Sequence, residues 1–400
     1  MRILIANEAR SGAGGVETYL ASLVEALAAR GHDVALLYAN PSAEQGPTTI
    51  PTRVAWSVAD EGLDRAIAAV RAWRPEVCFS HNMGPLDVDD RLTREWPTVK
   101  MMHGYFGACV SGQKAFAFPA VVACTRRCDA GCLAYYLPRH CGQLRPHVML
   151  TQYRWARRQQ RLLSRYTAIV LASEHMRREY LTYGIAKDRV HAIPLFAAAA
   201  AGCAGSHDSP IDVLFLGRLT DLKGPQELLR AAQHASLMSG RQPLRVVIAG
   251  DGQERNALER QARELERHHP VSVEFTGWVD AAARSALFAR TCVLAVPSLW
   301  PEPFGLVGLE AGLHGVPAVA FDVGGVREWL EDGVNGFVVR PAQSMRQAVM
   351  FGKAIAKVLN DPDLRARLSV GARATAARLN VDAHVTELER VLSCRFAGTS

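Results

Sequence analysis

The sequence predicts an α/β protein made of two doubly wound parallel sheets in series, facing each other across a central cleft. Three observations carry this expectation. Short apolar runs alternate with longer segments whose apolar positions recur at helical spacing. The alternation lapses once, in FAAAAAGCAGSHDSP at 196–210, and then restarts. The chain has 400 residues, more than one ordinary core organises. Strands alternating with helices imply parallel pairing with both faces covered. Ligands of such sheets bind beyond the carboxyl ends of the strands, which places the expected site in the cleft.

In the first half the strand candidates are RILIA at 2–6, DVALLYA at 33–39, EVCFS at 76–80, TVKMMH at 98–103 and AIVLAS at 168–173. Between the first two, VETYLASLVEALAARGH has helical periodicity, and Gly31 stops it after Arg30. The second half offers DVLFLG at 212–217, RVVIAG at 245–250, SVEFTG at 272–277, CVLAVPS at 292–298, PAVAFD at 317–322 and GFVV at 336–339. The tail from about Gln343 to Cys394 reads as helical. The expected division is a first domain over 1–196, a linker over 197–210 and a second domain over 211–379.

The composition is globular, with 49% hydrophobic and 21% charged residues. No apolar run approaches the roughly 18 residues needed to span a bilayer. MRILIANEAR is too short in its apolar part for a signal-peptide core, so a cytoplasmic protein is expected. The net charge of +7 favours anionic partners. No recognition motif supports nucleic acid as one of them. Nine cysteines in such a protein are expected as free thiols.

Two stretches carry chemistry. In LGRLTDLKGPQELLRAA, Arg218 and Lys223 flank a short loop before a helix that begins near Pro225, an arrangement suited to a diphosphate. The alternative is a surface loop with solvated charges. In VPSLWPEPFGLVGLEAG, a strand ends near Ser298 and a helix is expected to start at Phe304 or Gly305. The free amides of Gly305, Leu306 and Val307 can then point at an anion, and Gly305 permits close backbone approach. Glu302 precedes this helix. Glu310 lies further in, about 7.5 Å along the axis at roughly 1.5 Å per residue. A nucleoside diphosphate sugar, with ribose, diphosphate and hexose in a row, fits that spacing. The alternative has Glu302 exposed and Glu310 paired locally. A third stretch, GAGGVETYL at 12–20, could suggest a dinucleotide site. That site needs an acid at the end of the second strand, where this chain has Asn40, so a dehydrogenase is rejected.

Taken together, GAGGVE at 12–17, GRLTDLKG at 217–224, AGDGQE at 249–254, FTGWV at 275–279, PEPFGLVGLEA at 301–311 and DVGGVREWLEDGVNGFVV at 322–339 resemble glycosyltransferase family 4, enzymes of the GT-B architecture with two Rossmann-like domains. The resemblance spans nearly the whole chain. It implies transfer of a sugar from a nucleoside diphosphate sugar, UDP- or GDP-linked, to an acceptor hydroxyl with retention of configuration. No cofactor or divalent metal is implied, because Arg218 and Lys223 would neutralise the leaving diphosphate. Glu302 would bind donor-sugar hydroxyls, Glu310 the ribose, the amides after Gly305 the distal phosphate, and Trp278 and Val279 would border the base. Gly217, Gly250 and Phe304 fall in the matched donor motifs, and Gly14 and Gly15 would face the donor phosphates. His103, at the end of its strand in KMMHGYFGAC, would contact the donor sugar. The last helix, over about 380–400, would return to the first domain.

The same family implies acceptor binding by the first domain and donor binding by the second. The acceptor could be a sugar, glycolipid or polysaccharide, in polysaccharide or glycoconjugate biosynthesis. A nucleotide-sugar epimerase or hydrolase, and a non-catalytic nucleotide-sugar binding module, are the alternatives. Cys109, Cys124, Cys128, Cys132 and Cys141 cluster in sequence, and the spacing of the middle three suggests one helix face. Reduced, partly buried thiols are expected there, with zinc or a redox pair as the competing readings. QYRWARRQQRLLSRY at 152–166 reads as a basic amphipathic helix, which suggests peripheral contact with the inner face of a membrane as an alternative to a packed, solvated helix.

Overall fold

The computed structural model describes residues 1–12, 15–40, 48–197, 210–342 and 345–394. They form two compact units: Met1–Lys114 with Thr125–Ala198 and Asn380–Ser400, and Ala115–Cys124 with Ala199–Leu379. The sequence-derived linker at 197–210 lies almost entirely outside the described residues.

The first unit is built on strands β1 (Arg2–Asn7), β2 (Asp33–Tyr38), β3 (Val54–Ser57), β4 (Val77–Ser80), β5 (Thr98–Met102), β6 (Ala168–Leu171) and β7 (Val190–Ala192). They form one sheet in the order β7-β6-β5-β4-β1-β2-β3, parallel at every pairing. Ile3, Leu4 and Ile5 of β1 align with Val34, Ala35 and Leu36 on one side and with Val77, Cys78 and Phe79 on the other. All of these residues are buried, which is why the strands are apolar throughout rather than alternating. The helix Val381–Ser393 belongs to this unit. Its His384 Nε2 lies 2.8 Å from the Tyr19 hydroxyl, and its Glu389 pairs with Arg30 and His32.

The second unit carries β8 (Ile211–Leu216), β9 (Leu244–Ala249), β10 (Val271–Gly277), β11 (Thr291–Val296), β12 (Ala318–Phe321) and β13 (Gly336–Val339). Their order is β10-β9-β8-β11-β12-β13, again all parallel. Helices Pro225–Met238 and Arg346–Asn360 cover one face, burying Leu228, Ala232, Phe351 and Ile355 against Val213, Ile248 and Phe321.

The order of strands reverses direction between β1 and β4 in the first unit and between β8 and β11 in the second. The loops that leave adjacent strands there diverge and open a crevice, the usual ligand position in such sheets.

Three sequence expectations are corrected. Strands β3 and β7 were not expected; both are short edge strands. Ala115–Cys124, read as part of the first domain, instead groups with the second unit and forms a two-residue antiparallel pair, Ala115–Phe116 with Val122–Ala123. The helix expected at Phe304 or Gly305 begins at Val307, because Gly305 adopts φ +90° and breaks the helical path. Among the described residues no helix is long and apolar enough to cross a membrane.

Candidate functional site

In the second unit the strand-end loops interlock through glycines. Gly250, at φ +135°, packs so closely on Gly217 that a Cβ would overlap the Gly217 carbonyl. Gly217 N–H donates to Ala249 O at 3.0 Å and Gly250 N–H to Gly277 O at 2.7 Å. The loops leaving β8, β9 and β10 are thereby fixed together. The short 3-10 turn Asp221–Lys223 ends at Gly224, φ +70°, whose missing side chain lets the turn lie against the Pro297 carbonyl. Leu299 N–H donates to Leu222 O at 2.9 Å. This register brings together two motifs that are far apart in sequence.

The result is a buried charged cluster at the β8/β11 crevice. Lys223 Nζ lies 2.7 Å from Glu302 Oε1, and Ser298 Oγ donates to the same oxygen at 2.5 Å. The Lys223 ammonium also sits 5.3 Å from the centre of the Trp300 ring. Glu302 is only 3% exposed, which removes the reading of an exposed carboxylate. Burial opposes its ionisation most strongly, but Lys223, Ser298 and Trp300 together hold its carboxyl below the usual range. Its backbone is fixed from the other side: Gly325 N–H donates to Glu302 O at 2.7 Å, and Gly324 leaves no room for a side chain there. Arg218, on the loop that follows β8, is exposed and has no ion-pair partner among the described residues.

Glu310 falls in the first turn of Val307–Leu313 and pairs with Arg284 at 3.1 Å. Burial raises its carboxyl above the usual range, partly opposed by Arg284. Phe304 is buried, and its carbonyl accepts from Trp329 Nε1 at 2.7 Å. That ring stands 3.3 Å from where a Cβ on Gly305 would lie, so the turn at Gly305 is packed as well as left-handed. Leu306 and Val307 are half-buried beside it. Trp278 is 59% exposed after β10, next to half-buried Val279.

In the first unit, His103 follows β5, and its Nε2 lies 3.0 Å from Nδ1 of His81, which follows β4. Burial first, and the Lys100 charge second, push His103 down to about 3, so it is a neutral imidazole at ordinary pH. Beneath the pair, Lys100 Nζ donates to Asp89 at 2.7 Å, Ser80 Oγ at 3.0 Å and the His81 carbonyl at 2.5 Å. Gly15 opens the helix Gly15–Ala29; Gly14 lies outside the described residues. His81 and Arg284 are lone residues that sequence reading does not single out; Ser298, Trp300 and the Gly324–Gly325 pair lie inside the quoted stretches, but their roles appear only through contacts.

Cys124, Cys128 and Cys132 do not share a helix face, contrary to expectation: only Cys132 is helical, in Gly131–Tyr136, because the chain turns at Asp129 before that helix begins. Cys128 is buried with Val110, Tyr136 and Ala156, and Cys132 and Cys141 pack against this small core. Cys132 Sγ donates to the Arg127 carbonyl at 3.6 Å; interaction with the neighbouring Cys128 thiol draws the Cys132 thiol down to about 6, while the same interaction and burial push Cys128 up. Cys109 Sγ accepts from Lys114 N–H at 3.3 Å. Among the described residues no group of three or more His, Cys, Asp or Glu is arranged to hold a metal ion. The basic helix runs over Pro146–Leu162; it buries Gln159 and Leu162 and exposes Arg154, Arg158 and Arg161.

Residues 204–375 match the family described as Glycosyl transferases group 1, and residues 13–197 match Glycosyltransferase Family 4. An uncharacterized glycosyltransferase of Methanocaldococcus jannaschii is 38% identical over 137 residues, 34% of each chain. The D-inositol 3-phosphate glycosyltransferase of Xylanimonas cellulosilytica is 36% identical over 186 residues, 44% of this chain and 40% of that one. Thus the matches span well under two thirds of these curated relatives. The structure of Anabaena HepE in complex with UDP superposes with a TM-score of 0.67 at 20% identity, covering 98% of this chain and 100% of that one, and shares its fold.

Proposed function

Because this chain belongs to the family 4 glycosyltransferases, with two Rossmann-like units of the GT-B architecture, we propose that it is a retaining transferase that moves a sugar from a nucleoside diphosphate sugar to an acceptor hydroxyl. The observation that carries this reading is the Lys223–Glu302–Ser298 cluster at the β8/β11 crevice, with Arg218 free on the same β8 loop. As the bond from the anomeric carbon to the diphosphate breaks, negative charge grows on the departing oxygen. Lys223, held by Glu302, is preorganised to meet that charge and Arg218 is free to reach it, which favours the transition state over the bound donor. The anomeric carbon bonds to the acceptor oxygen on the face the diphosphate leaves, and the hydroxyl proton passes to the departing phosphate.

Glu302 occupies one of the three ammonium protons of Lys223 and leaves its second oxygen for a sugar hydroxyl. In this reading Glu310, held by Arg284, would bind the ribose, and exposed Trp278 would border the base. In the first unit, neutral His103 serves as a hydrogen-bonding partner of the sugar rather than as a base. UDP in the HepE structure supports a uridine donor, with a GDP donor as the alternative. No metal is needed in this reading. Glycoconjugate or polysaccharide assembly in the cytoplasm, with peripheral membrane contact through exposed Arg154, Arg158 and Arg161, is the setting we favour, and the free cysteines among the described residues suit a reducing compartment. A thermal-shift panel of UDP-, GDP- and ADP-sugars tests the proposal: one base should raise the melting temperature in a concentration-dependent way. Absence of any shift across the panel at millimolar ligand contradicts it.

A further inference from the structure

A cavity of about 270 Å³ opens within the first unit, at the crevice between β1 and β4. Glu8 reaches it from the loop after β1, His81, Met83 and Gly84 from the loop after β4, and Met101 and Met102 from the end of β5. Phe106 and Trp155 complete the wall. Nothing in the transferase reading above uses this cavity. It lies at the strand-order reversal, where open sheets of this kind hold ligands.

Its chemistry is specific. The aromatic pair stands edge to face, with ring centres 5.8 Å apart, and the Trp155 ring is fixed by its Nε1–H bond of 2.9 Å to the Gly84 carbonyl. Three methionines supply an adaptable apolar lining. Phe106, at 37% exposed, marks the side open to water. The lining is not wholly apolar: Glu8, Asn82 and Lys100 also border the cavity, and two of its residues carry buried polar atoms without partners. Gln159 is 1% exposed; its Nε2 donates to Tyr166, but its Oε1 has no hydrogen-bond partner among the described residues. His81 is fully buried; its Nδ1 faces His103, and its Nε2 likewise has no partner among them. Buried polar atoms left unmatched are costly, and a ligand that matches them recovers that cost. One carboxylate oxygen of Glu8 is held by the Gly84 amide at 2.7 Å, which fixes that side chain at the cavity.

We propose that this cavity binds a flat apolar ring bearing hydroxyl groups, the aglycone of a glycoconjugate under assembly, one of whose hydroxyls receives the sugar. The ring would lie against Trp155 and Phe106, and a second hydroxyl would donate to Gln159 Oε1 after a small turn of that side chain. The volume suits a fused two-ring group: a smaller apolar cavity of about 150 Å³ already takes benzene. The identification of this ring as acceptor rests on the transferase reading; the binding of such a ring does not.

Calorimetry on the full chain with 2-naphthol, 2-methoxynaphthalene, methyl glucoside and dodecanol tests the proposal, with UDP and GDP titrated in parallel. The expected result is that 2-naphthol binds at least tenfold tighter than each of the other three. Met83→Trp, which fills the cavity, should abolish naphthol binding. Gln159→Leu should erase the preference for naphthol over its methyl ether. Neither should alter nucleotide affinity, and a near-ultraviolet circular dichroism spectrum matching the wild type shows that the first unit of each variant has folded. Nucleotide binding without naphthol binding overturns the proposal and leaves the transferase reading standing. Equal or tighter binding of methyl glucoside or dodecanol overturns it as well, in favour of a sugar or a lipid chain. Naphthol binding in a protein that binds no nucleoside diphosphate overturns the assignment of the ring as acceptor.

Discussion

Removing Lys223 should expose what the buried cluster costs when it is left incomplete. The pair is 2.7 Å long; the Glu302 side chain is 4% exposed and that of Lys223 is 25% exposed. Breaking a fully buried pair by deleting one partner costs about 3–5 kcal/mol. The access of Lys223 to water and the retained Ser298 bond place Lys223→Ala near the lower end, about 3 kcal/mol. Glu302→Gln should cost less, about 1.5 kcal/mol, because the stranded cation can still reach solvent. The double variant should then be more stable than the sum of the single losses implies, by about 1 kcal/mol or more. There is also a pH signature. Without Lys223, burial dominates and raises the Glu302 pKa above its unfolded value. A group raised in this way loses stability as pH climbs past the unfolded pKa, so the deficit of Lys223→Ala should be larger at pH 7 than at pH 5. Urea denaturation of the four proteins at both pH values measures this. Strict additivity, or a deficit independent of pH, would refute the reasoning.

Other outcomes follow from the same contacts. Glu310→Ala should weaken binding of donor and free nucleoside diphosphate alike, by about 1.5–3 kcal/mol, whereas Glu302→Ala should chiefly lower turnover; calorimetry with initial rates separates them, and the reverse pattern would place the ligand the other way along the helix. His81, His103 and His384 are all pushed down by burial, so their neutral forms stabilise the folded chain above about pH 6.5, and that stability drains as pH falls. With three protons taken up on unfolding, the slope should approach about 4 kcal/mol per pH unit near pH 5, and His384→Phe should reduce it by roughly a third; a flat profile between pH 7 and 5 contradicts this. Cys132, with its thiol drawn down to about 6, should alkylate well before Cys128 at pH 7 by mass spectrometry, and the purified protein should carry no stoichiometric zinc by elemental analysis. About one zinc per chain would overturn the reading of free thiols.

The central strands were legible to within a few residues at their ends because burial on both faces demands unbroken apolar runs, as in RILIA and DVLFLG. Edge strands β3 and β7 were not, since three or four residues at a sheet edge carry little pattern. The spacing of Cys124, Cys128 and Cys132 imitated a helix face, but local turns, not periodicity, set that segment. At the site, Lys223 and Glu302 could each be singled out from their own stretch. Their ion pair could not, because it depends on the Leu299–Leu222 bond and on Gly224 lying against Pro297, contacts between loops some 75 residues apart. The first-unit cavity was invisible for the same reason. It is assembled from the ends of three strands, the Phe106 loop and one helix, and Gln159 and His81 are ordinary residues until their unmatched atoms are seen.

Titrating nucleoside diphosphates into the protein by calorimetry in excess EDTA, for the wild type and for Arg218→Ala/Lys223→Ala, bears most directly on metal-free recognition of the donor. UDP or GDP should bind the wild type with undiminished affinity in EDTA. The double variant should lose at least a hundredfold, which corresponds to about 2.7 kcal/mol, two charge-assisted bonds of modest strength. Wild-type binding that vanishes in EDTA and returns with magnesium, or a double variant that binds as tightly as the wild type, would contradict the assignment of these two cations to the diphosphate.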